Sequence, residues 1–458
     1  MLEQTTKSNN TALLTDFYEF AMAASYFVYK KDAKAVFDLF IRNLPANRSY
    51  FVAAGLEDAL DFLSNFHFDA DAIEFLSKQN RFKEDFLEYL AKLRFTGDVW
   101  AMREGEICFP NEPLLRVVAP IIEAQLAESF LLNTINLQTT ITTKAARVVS
   151  AAKGKGVYDF ALRRTHGADA ALKVARSSYI AGFKGTSNVL AGLRDKIPVV
   201  GTMAHSFVMS FESEADSFKA FVHTFPDDSI LLIDTYDNIK GIKNAIAVAH
   251  ELDKAGFMLK GIRLDSGNLV KLSKKIRMML DAERLQKVKI FASGNLDEFK
   301  IEELLAAKAP IDSFGVGTNM GVSEDAPYSD VIYKICEVTD ATGEFLPTMK
   351  LSQAKVTHPG RKQVFRVLEK GLFAKDILAL EDEHIDGKPL LEKVMDSGRI
   401  DYDPPPLDDI RRFTQDNLTR LPERYKKLKG AIPYPVVISP QLKSLTKKVV
   451  KNIKKRSQ

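Results

Sequence analysis

Cysteine is nearly absent: Cys108 and Cys336 are the only two among 458 residues, and they stand far apart in the chain. Two thiols cannot build a disulfide framework or a cysteine-ligated zinc site, so both are expected to be ordinary reduced side chains. Long apolar runs are missing too. Even Leu114–Leu126 is broken by Arg116, Pro120 and Glu123, well short of the roughly 18 apolar residues that span a bilayer, so no membrane partner is expected. The N-terminus, MLEQTTKSNNTALL, has no basic segment followed by an apolar stretch and a small-residue cleavage site. Export is not expected, and the cytoplasm is the default location. Charge of one sign is also scarce, since 64 Lys and Arg face 60 Asp and Glu. The local excess lies in the tail KSLTKKVVKNIKKRSQ, where no aromatic residue interleaves the lysines. That pattern reads as a solvated amphipathic helix or frayed end, and no nucleic-acid partner is expected. Finally, no GxxxxGK[ST] loop, internal repeat or low-complexity tract occurs.

What is present is globular: 46% hydrophobic and 27% charged residues, in a chain long enough for two cores. Residues 1–118 read as an α+β domain. Thr15–Tyr26 has helical spacing with Thr15 as N-cap, Ala35–Ile41 alternates like a strand, Asp69–Leu93 reads as two helices, and Gly97–Val118 reads as short strands. Residues 119–329 open with a long helical pattern to Ala152. Seven short apolar runs then alternate with helical stretches: Val157–Phe160, Ser177–Ala181, Val199–Thr202, Ile230–Asp234, Leu259–Asp265, Val288–Ser293 and Asp312–Gly317. Strands alternating with helices predict a parallel α/β sheet, and seven units predict a barrel. Residues 330–458 are strand-like and basic, with loop composition over Ile400–Asp409 and a helix over Arg411–Leu428 that Pro422 breaks. This region is expected to pack with the N-terminal domain.

Nearly every run ends in polar or glycine-bearing residues, and in a parallel barrel those carboxyl ends open on one face. Phe291-Ala-Ser-Gly-Asn295 and Phe314-Gly-Val-Gly-Thr-Asn319 close the last two runs. Backbone N–H groups beside Gly294 and Gly317, with the hydroxyls of Ser293 and Thr318 and the amide of Asn295, could ring a phosphate. The same glycines could equally make tight turns. In Gly261-Ile-Arg-Leu-Asp-Ser-Gly-Asn268 the period of two puts Arg263 and Asp265 on one side. They suit either a mutual ion pair or a site in which the guanidinium grips an anion and the carboxylate holds ribose or Mg²⁺. His205, in Gly201-Thr-Met-Ala-His-Ser206, sits where an imidazole could take a proton or a phosphoryl group. Phe160 could stack on a flat heteroaromatic ring and Arg163 meet its carboxylate, or both could be structural. Asp234 and Asp237, in LLIDTYD, receive no role.

Taken in order, TDFYEF (15–20), DFALRRTHG (159–167), GTSN (185–188), GTMAHSF (201–207), RLDSGN (263–268) and GVGTN (315–319) resemble the nicotinate phosphoribosyltransferase family. The likeness runs from about Leu14 to about Glu337. It implies an irregular seven-stranded barrel joined to a second domain made from both chain ends, in a homodimer with shared active sites. It also implies formation of nicotinate mononucleotide from nicotinate, phosphoribosyl pyrophosphate and ATP, with Mg²⁺ whose ligands are not assigned. By that resemblance His205 is the transiently phosphorylated histidine; Tyr18, Thr202 and Arg263 contact nicotinate; and Thr318 contacts the phosphoribosyl group. Phe160 and Tyr18 would sandwich the pyridine, with Tyr18 and Asp16 supplied by the partner. Where the related nicotinamide enzyme carries an aspartate, this chain has Ser187, which spares an acid substrate the repulsion. The rivals are that nicotinamide enzyme and a non-catalytic sugar-phosphate-binding barrel. A quinolinate enzyme fits less well, because it needs a shorter chain and leaves GTMAHSF unexplained.

Overall fold

The computed structural model describes residues 10–351 and 357–456. Residues 1–9, on which much of the leader reading rests, and the last two residues of the basic tail lie outside the described residues. The chain divides into two compact units, Met1–Thr140 with Tyr328–Gln458, and Ile141–Pro327.

The first unit is built on a seven-stranded antiparallel sheet ordered Phe345–Pro347, Val331–Thr339, Lys34–Ile41, Pro113–Pro120, Asp98–Met102, Leu391–Asp396 and Arg399–Ile400. Both chain ends therefore contribute strands to one sheet. Lys34–Ile41 lies between two neighbours and is buried after its first residue, so its apolar content serves both faces of the sheet and not the single face that alternation implies. Asp38 can sit in this strand because Lys362 Nζ meets its carboxylate at 2.7 Å, which supplies the partner a buried charge requires. Cys108 and Cys336 are both free and buried here.

The helix expected from Thr15 runs Phe17–Tyr29 with Asp16, not Thr15, in the N-cap position. Two helices, Ala70–Lys78 and Glu84–Lys92, occupy the Phe- and Leu-rich stretch. The helix expected over Arg411–Leu428 starts earlier, at Leu407, and ends at Arg420 ahead of Pro422. The basic tail forms a helix, Pro440–Arg456, that buries Leu442 and Val449 and exposes Lys443, Lys447 and Lys451. Among the described residues no helix is long and apolar enough to cross a membrane.

The second unit carries a parallel sheet of five strands: β1 (Gly156–Asp159), β2 (Ile230–Leu232), β3 (Gly261–Leu264), β4 (Lys289–Ala292) and β5 (Ser313–Val316). Their spatial order is β1-β5-β4-β3-β2. The other two expected strands are corrected here. Ser177–Ala181 is not a strand: the helix Ala168–Ile180 extends through it, because Ala171, Val174, Ala175 and Ser178 already keep the helical period on a buried face. Val199–Thr202 contributes a single bridge, Val199 to Thr186, and Thr186 bridges in turn to Asp159 at the end of β1. Among the described residues the parallel sheet is thus five strands wide, continued past β1 by two one-residue bridges, in place of the seven regular strands expected.

The helices that follow β2, β3 and β4 each begin with a side-chain cap, whereas the helix Ala168–Ile180 after β1 has Gly167 in the N-cap position and lacks one. Asp237 accepts from the backbone of Ile239 and Lys240, Asn268 from Lys271, and Asp297 from Lys300. These caps explain why polar residues crowd the carboxyl ends even where they touch no ligand. Gly294, after β4, has φ +90° and lies so close to the end of β3 that a Cβ would overlap the Asp265 carbonyl oxygen. Gly294→Ala is therefore expected to destabilise the protein by about 2 kcal/mol or more, through strain and a clash with rigid backbone. A melting temperature equal to that of the unaltered protein would show that the turn can move aside.

Candidate functional site

The carboxyl ends of β1, β2 and β3 and the Gly201–Ser206 segment surround a cavity of about 490 Å³. Its wall includes Phe160, Arg163, Ser187, Thr202, His205, Arg263 and Asp265. Residues from four separate motifs of the sequence therefore meet in one place within the second unit.

Arg263, on β3, organises this wall. Its Nε donates to Ser293 Oγ at 2.8 Å, its Nη1 to Thr202 Oγ1 at 3.1 Å and to the Met203 carbonyl at 3.4 Å, and its Nη2 to Asp265 Oδ1 at 2.8 Å. Four contacts draw on a guanidinium with five N–H donors. The mutual ion pair offered above is present, and both of its side chains line the cavity. The guanidinium also lies 5.5 Å from the centre of the Phe160 ring, a cation–π arrangement that fixes the ring's plane. Gly315 leaves the room this needs, because a Cβ there would press on Phe160 and Phe291.

Asp265 accepts a hydrogen bond from Ser293 Oγ in addition to that from Arg263. Burial pushes its carboxyl up, but the Ser293 and Arg263 hydrogen bonds and the positive charges of Arg263 and His205 outweigh it and hold the group below the usual carboxylate range. Its backbone N–H donates to Asp234 Oδ2 at 3.0 Å, and Ser266 Oγ donates to the same oxygen at 2.6 Å. His205 opens the helix His205–Met209. Its Nδ1 lies 3.1 Å from Thr235 Oγ1 and its Nε2 lies 3.9 Å from Asp265 Oδ2. The imidazole is 43% exposed, so a solution ligand can reach it.

The family models for the nicotinate phosphoribosyltransferase N-terminal domain, the nicotinate phosphoribosyltransferase family and the nicotinate phosphoribosyltransferase C-terminal domain match residues 13–136, 156–357 and 384–446. The nicotinate phosphoribosyltransferase pncB2 of Mycobacterium tuberculosis (strain H37Rv) is 48% identical over 433 residues, covering 94% of this chain and 92% of that protein. The chain belongs to the nicotinate phosphoribosyltransferase family. The Bacillus subtilis nicotinate phosphoribosyltransferase is 40% identical over 471 residues, covering 96% of this chain and 95% of that one. The crystal structure of human nicotinic acid phosphoribosyltransferase aligns with a TM-score of 0.85 at 28% identity, covering 95% and 99% of the two chains. As a member of this family the protein is an enzyme of NAD biosynthesis.

Within this nicotinate phosphoribosyltransferase the remaining candidate residues fall outside the cavity wall. Ser293, Gly294 and Asn295 follow β4, and Gly317 and Thr318 follow β5; of these five, Ser293 is tied to the wall through Arg263 and Asp265. Asn295 has φ +53°, and its carbonyl accepts from Lys300 Nζ at 2.7 Å. Tyr18 belongs to the first unit, on the helix Phe17–Tyr29, with 52% of its surface exposed. Burial of its oxygen and the neighbouring Glu19 carboxylate push its phenol well up.

Two side chains that the motifs left without a role, Thr235 and Asp234, bond to wall residues, and Thr186 lies behind the wall, bonded to Asp159. Asp234 and Thr235 sit in the LLIDTYD segment, where position at a strand's carboxyl end was the available signal. Asp237, in the same segment, is a helix cap.

Proposed function

We propose that the second-unit cavity binds nicotinate and phosphoribosyl pyrophosphate and joins them to nicotinate mononucleotide and pyrophosphate, with the reaction coupled to ATP hydrolysis through His205. The observation that carries this reading is the convergence of Phe160, Arg163, Ser187, His205, Arg263 and Asp265 on one cavity. The pyridine nitrogen brings its own lone pair to C1 of the ribose to form the C1–N bond, while the C1–O bond breaks and pyrophosphate departs with the electron pair of that bond. No strong base is required, so catalysis rests on positioning and on matching the charges that develop. Phe160 offers a ring face to the pyridine. Arg163, exposed at the wall, is the freer cation for the nicotinate carboxylate, because Arg263 already spends most of its donors on the protein. Asp265 would hold the ribose, and the turns carrying Ser293 to Asn295 and Gly317 to Thr318 would hold phosphate.

Among the described residues no group of three or more His, Cys, Asp and Glu side chains is placed to cage a metal. A Mg²⁺ that arrives with substrate phosphates needs only one or two carboxylates. Asp234 and Asp265 fit that demand, since Asp234 Oδ1 is buried without a hydrogen-bond partner among the described residues. Mg²⁺ bound there would neutralise charge on the leaving pyrophosphate. A second copy of the chain would cover the groove of about 600 Å³ lined by Phe17, Tyr18, Val28 and Tyr29, with Arg81, Lys83 and Asp85, whose exposed aromatic surface is of the kind that subunit interfaces cover. Tyr18 would then come from the partner in a homodimer.

The test of the reaction is direct: purified protein with labelled nicotinate, phosphoribosyl pyrophosphate and Mg²⁺, with and without ATP, should yield the mononucleotide and yield it faster with ATP. Ser187 supplies the test of the acid-binding wall. Ser187→Asp places a carboxylate against the substrate's own, so KM for nicotinate is expected to rise about tenfold or more while nicotinamide becomes the relatively better substrate. Competition between the acid and the amide reads this out; an unchanged preference would move the nicotinate carboxylate away from Ser187.

A further inference from the structure

We infer that Asp159 is a positioning residue for the pyridine-binding wall, holding Phe160 and Ser187 at one fixed spacing through Ala161 and Thr186. The inference rests on the reading of this cavity as the nicotinate site. Asp159 ends β1 with its side chain sealed from solvent at 1% exposure, and it is not part of the cavity wall. A carboxylate in such a place is costly unless its oxygens are bonded. Here both are: Oδ1 accepts the Ala161 N–H at 2.8 Å, and Oδ2 accepts the Thr186 hydroxyl at 2.6 Å. Thr186, wholly buried, accepts in turn from the Asn188 N–H at 3.0 Å. The two backbones are laced together as well, with Ser187 N–H donating to the Asp159 carbonyl at 2.8 Å and Asp159 N–H to the Gly185 carbonyl at 2.9 Å.

Phe160 lies between Asp159 and Ala161, and Ser187 lies between Thr186 and Asn188. Each of the two wall residues is therefore flanked on both sides by a residue in the same buried network. One carboxylate clamps the two segments that present the ring face and the hydroxyl, and the sheet bridge from Asp159 to Thr186 is a single residue long. The Asp159 carboxylate adds two side-chain-mediated bonds to that short backbone contact. Burial pushes the Asp159 carboxyl up, while the hydrogen bonds from Thr186 and Ala161 oppose this, as expected of a group held by donors and not by a cation.

The test compares Thr186→Val, which keeps the shape and removes the hydroxyl, with Thr186→Ser, which restores it. In T186V the KM for nicotinate is expected to rise about tenfold with the KM for phosphoribosyl pyrophosphate unchanged within about twofold, and T186S should return the nicotinate value to that of the unaltered enzyme. An unchanged nicotinate KM, or an equal rise in both constants, overturns the inference. If T186V does not accumulate as folded protein, Asp159→Asn, of the same volume, reads the clamp from its other side by the same split. S187D separates the two levels: a normal nicotinate KM in that variant sinks the site reading, whereas a raised one beside a normal T186V sinks the role of Asp159 alone.

Discussion

Arg263→Ala is expected to lower kcat/KM for nicotinate by about 10²- to 10³-fold, because one side chain ties together three segments around the cavity. Removing it releases Thr202 and the Met203 carbonyl on one side and Ser293 and Asp265 on the other. It also removes the cation that lies over Phe160. A displacement of the order of 1 Å in such a constellation costs about 10²-fold in rate. Arg263→Lys keeps a charge but has no planar fork to bridge a hydroxyl, a carbonyl and a carboxylate at once, so it should recover little of the loss. A second readout identifies the cause. With the guanidinium gone, burial acts on Asp265 against only the Ser293 hydrogen bond and His205, so its carboxyl should titrate higher than in the unaltered enzyme. The acidic limb of the pH–rate profile should then move to higher pH, since activity that needs ionised Asp265 is lost earlier as pH falls. Steady-state kinetics across pH decide the matter. A loss below about tenfold with an unmoved acidic limb would reduce Arg263 to one contact among many.

How much of this could be read from the sequence follows from where the partners of each residue lie. The strand ends were legible because a strand buried on both faces is a short apolar run, and the glycine, aspartate or asparagine that follows it marks the turn and the next helix cap. That logic located β1 through β5 and the placement of Phe160, His205, Arg263 and Asp265 around one cavity. It failed at Ser177–Ala181, where small and apolar residues at the end of a helix mimic a strand, while the neighbour of β1 on the edge away from β5 is reduced to one bridging residue, Thr186. Composition gives no signal for a strand one residue long. Thr186 and Thr235 were missed for a related reason. Each is an ordinary threonine whose importance comes from a partner distant in sequence, Asp159 in one case and His205 in the other. Tyr18 is the reverse case: no pattern in its own helix points to a ligand, and only the family resemblance attached it to nicotinate.

His205→Ala should separate ATP use from base transfer. In the proposed coupling an imidazole nitrogen forms a bond to the terminal phosphorus of ATP as the P–O bond to ADP breaks, with ADP leaving on that electron pair; water later takes the phosphoryl group from the ring as phosphate. Alanine cannot accept the phosphoryl group, so nicotinate-dependent ADP release is expected to fall about 100-fold or more. In the proposed reaction the transfer of ribose to nicotinate draws on Phe160, Arg163, Ser187 and Arg263 and needs no imidazole lone pair. Synthesis without ATP should therefore persist within about threefold, while the stimulation by ATP disappears. The geometry supports that division, because among the described residues the polar contacts of the His205 imidazole are with Thr235 at 3.1 Å and Asp265 at 3.9 Å and not with Arg263. Its removal leaves every hydrogen bond of Arg263 in place. Parallel assays of ADP and mononucleotide, with and without ATP, read both halves. Full ATP stimulation in H205A would place the phosphoryl acceptor on another side chain, whereas loss of the ATP-free reaction as well would mean that the imidazole serves ribose transfer itself.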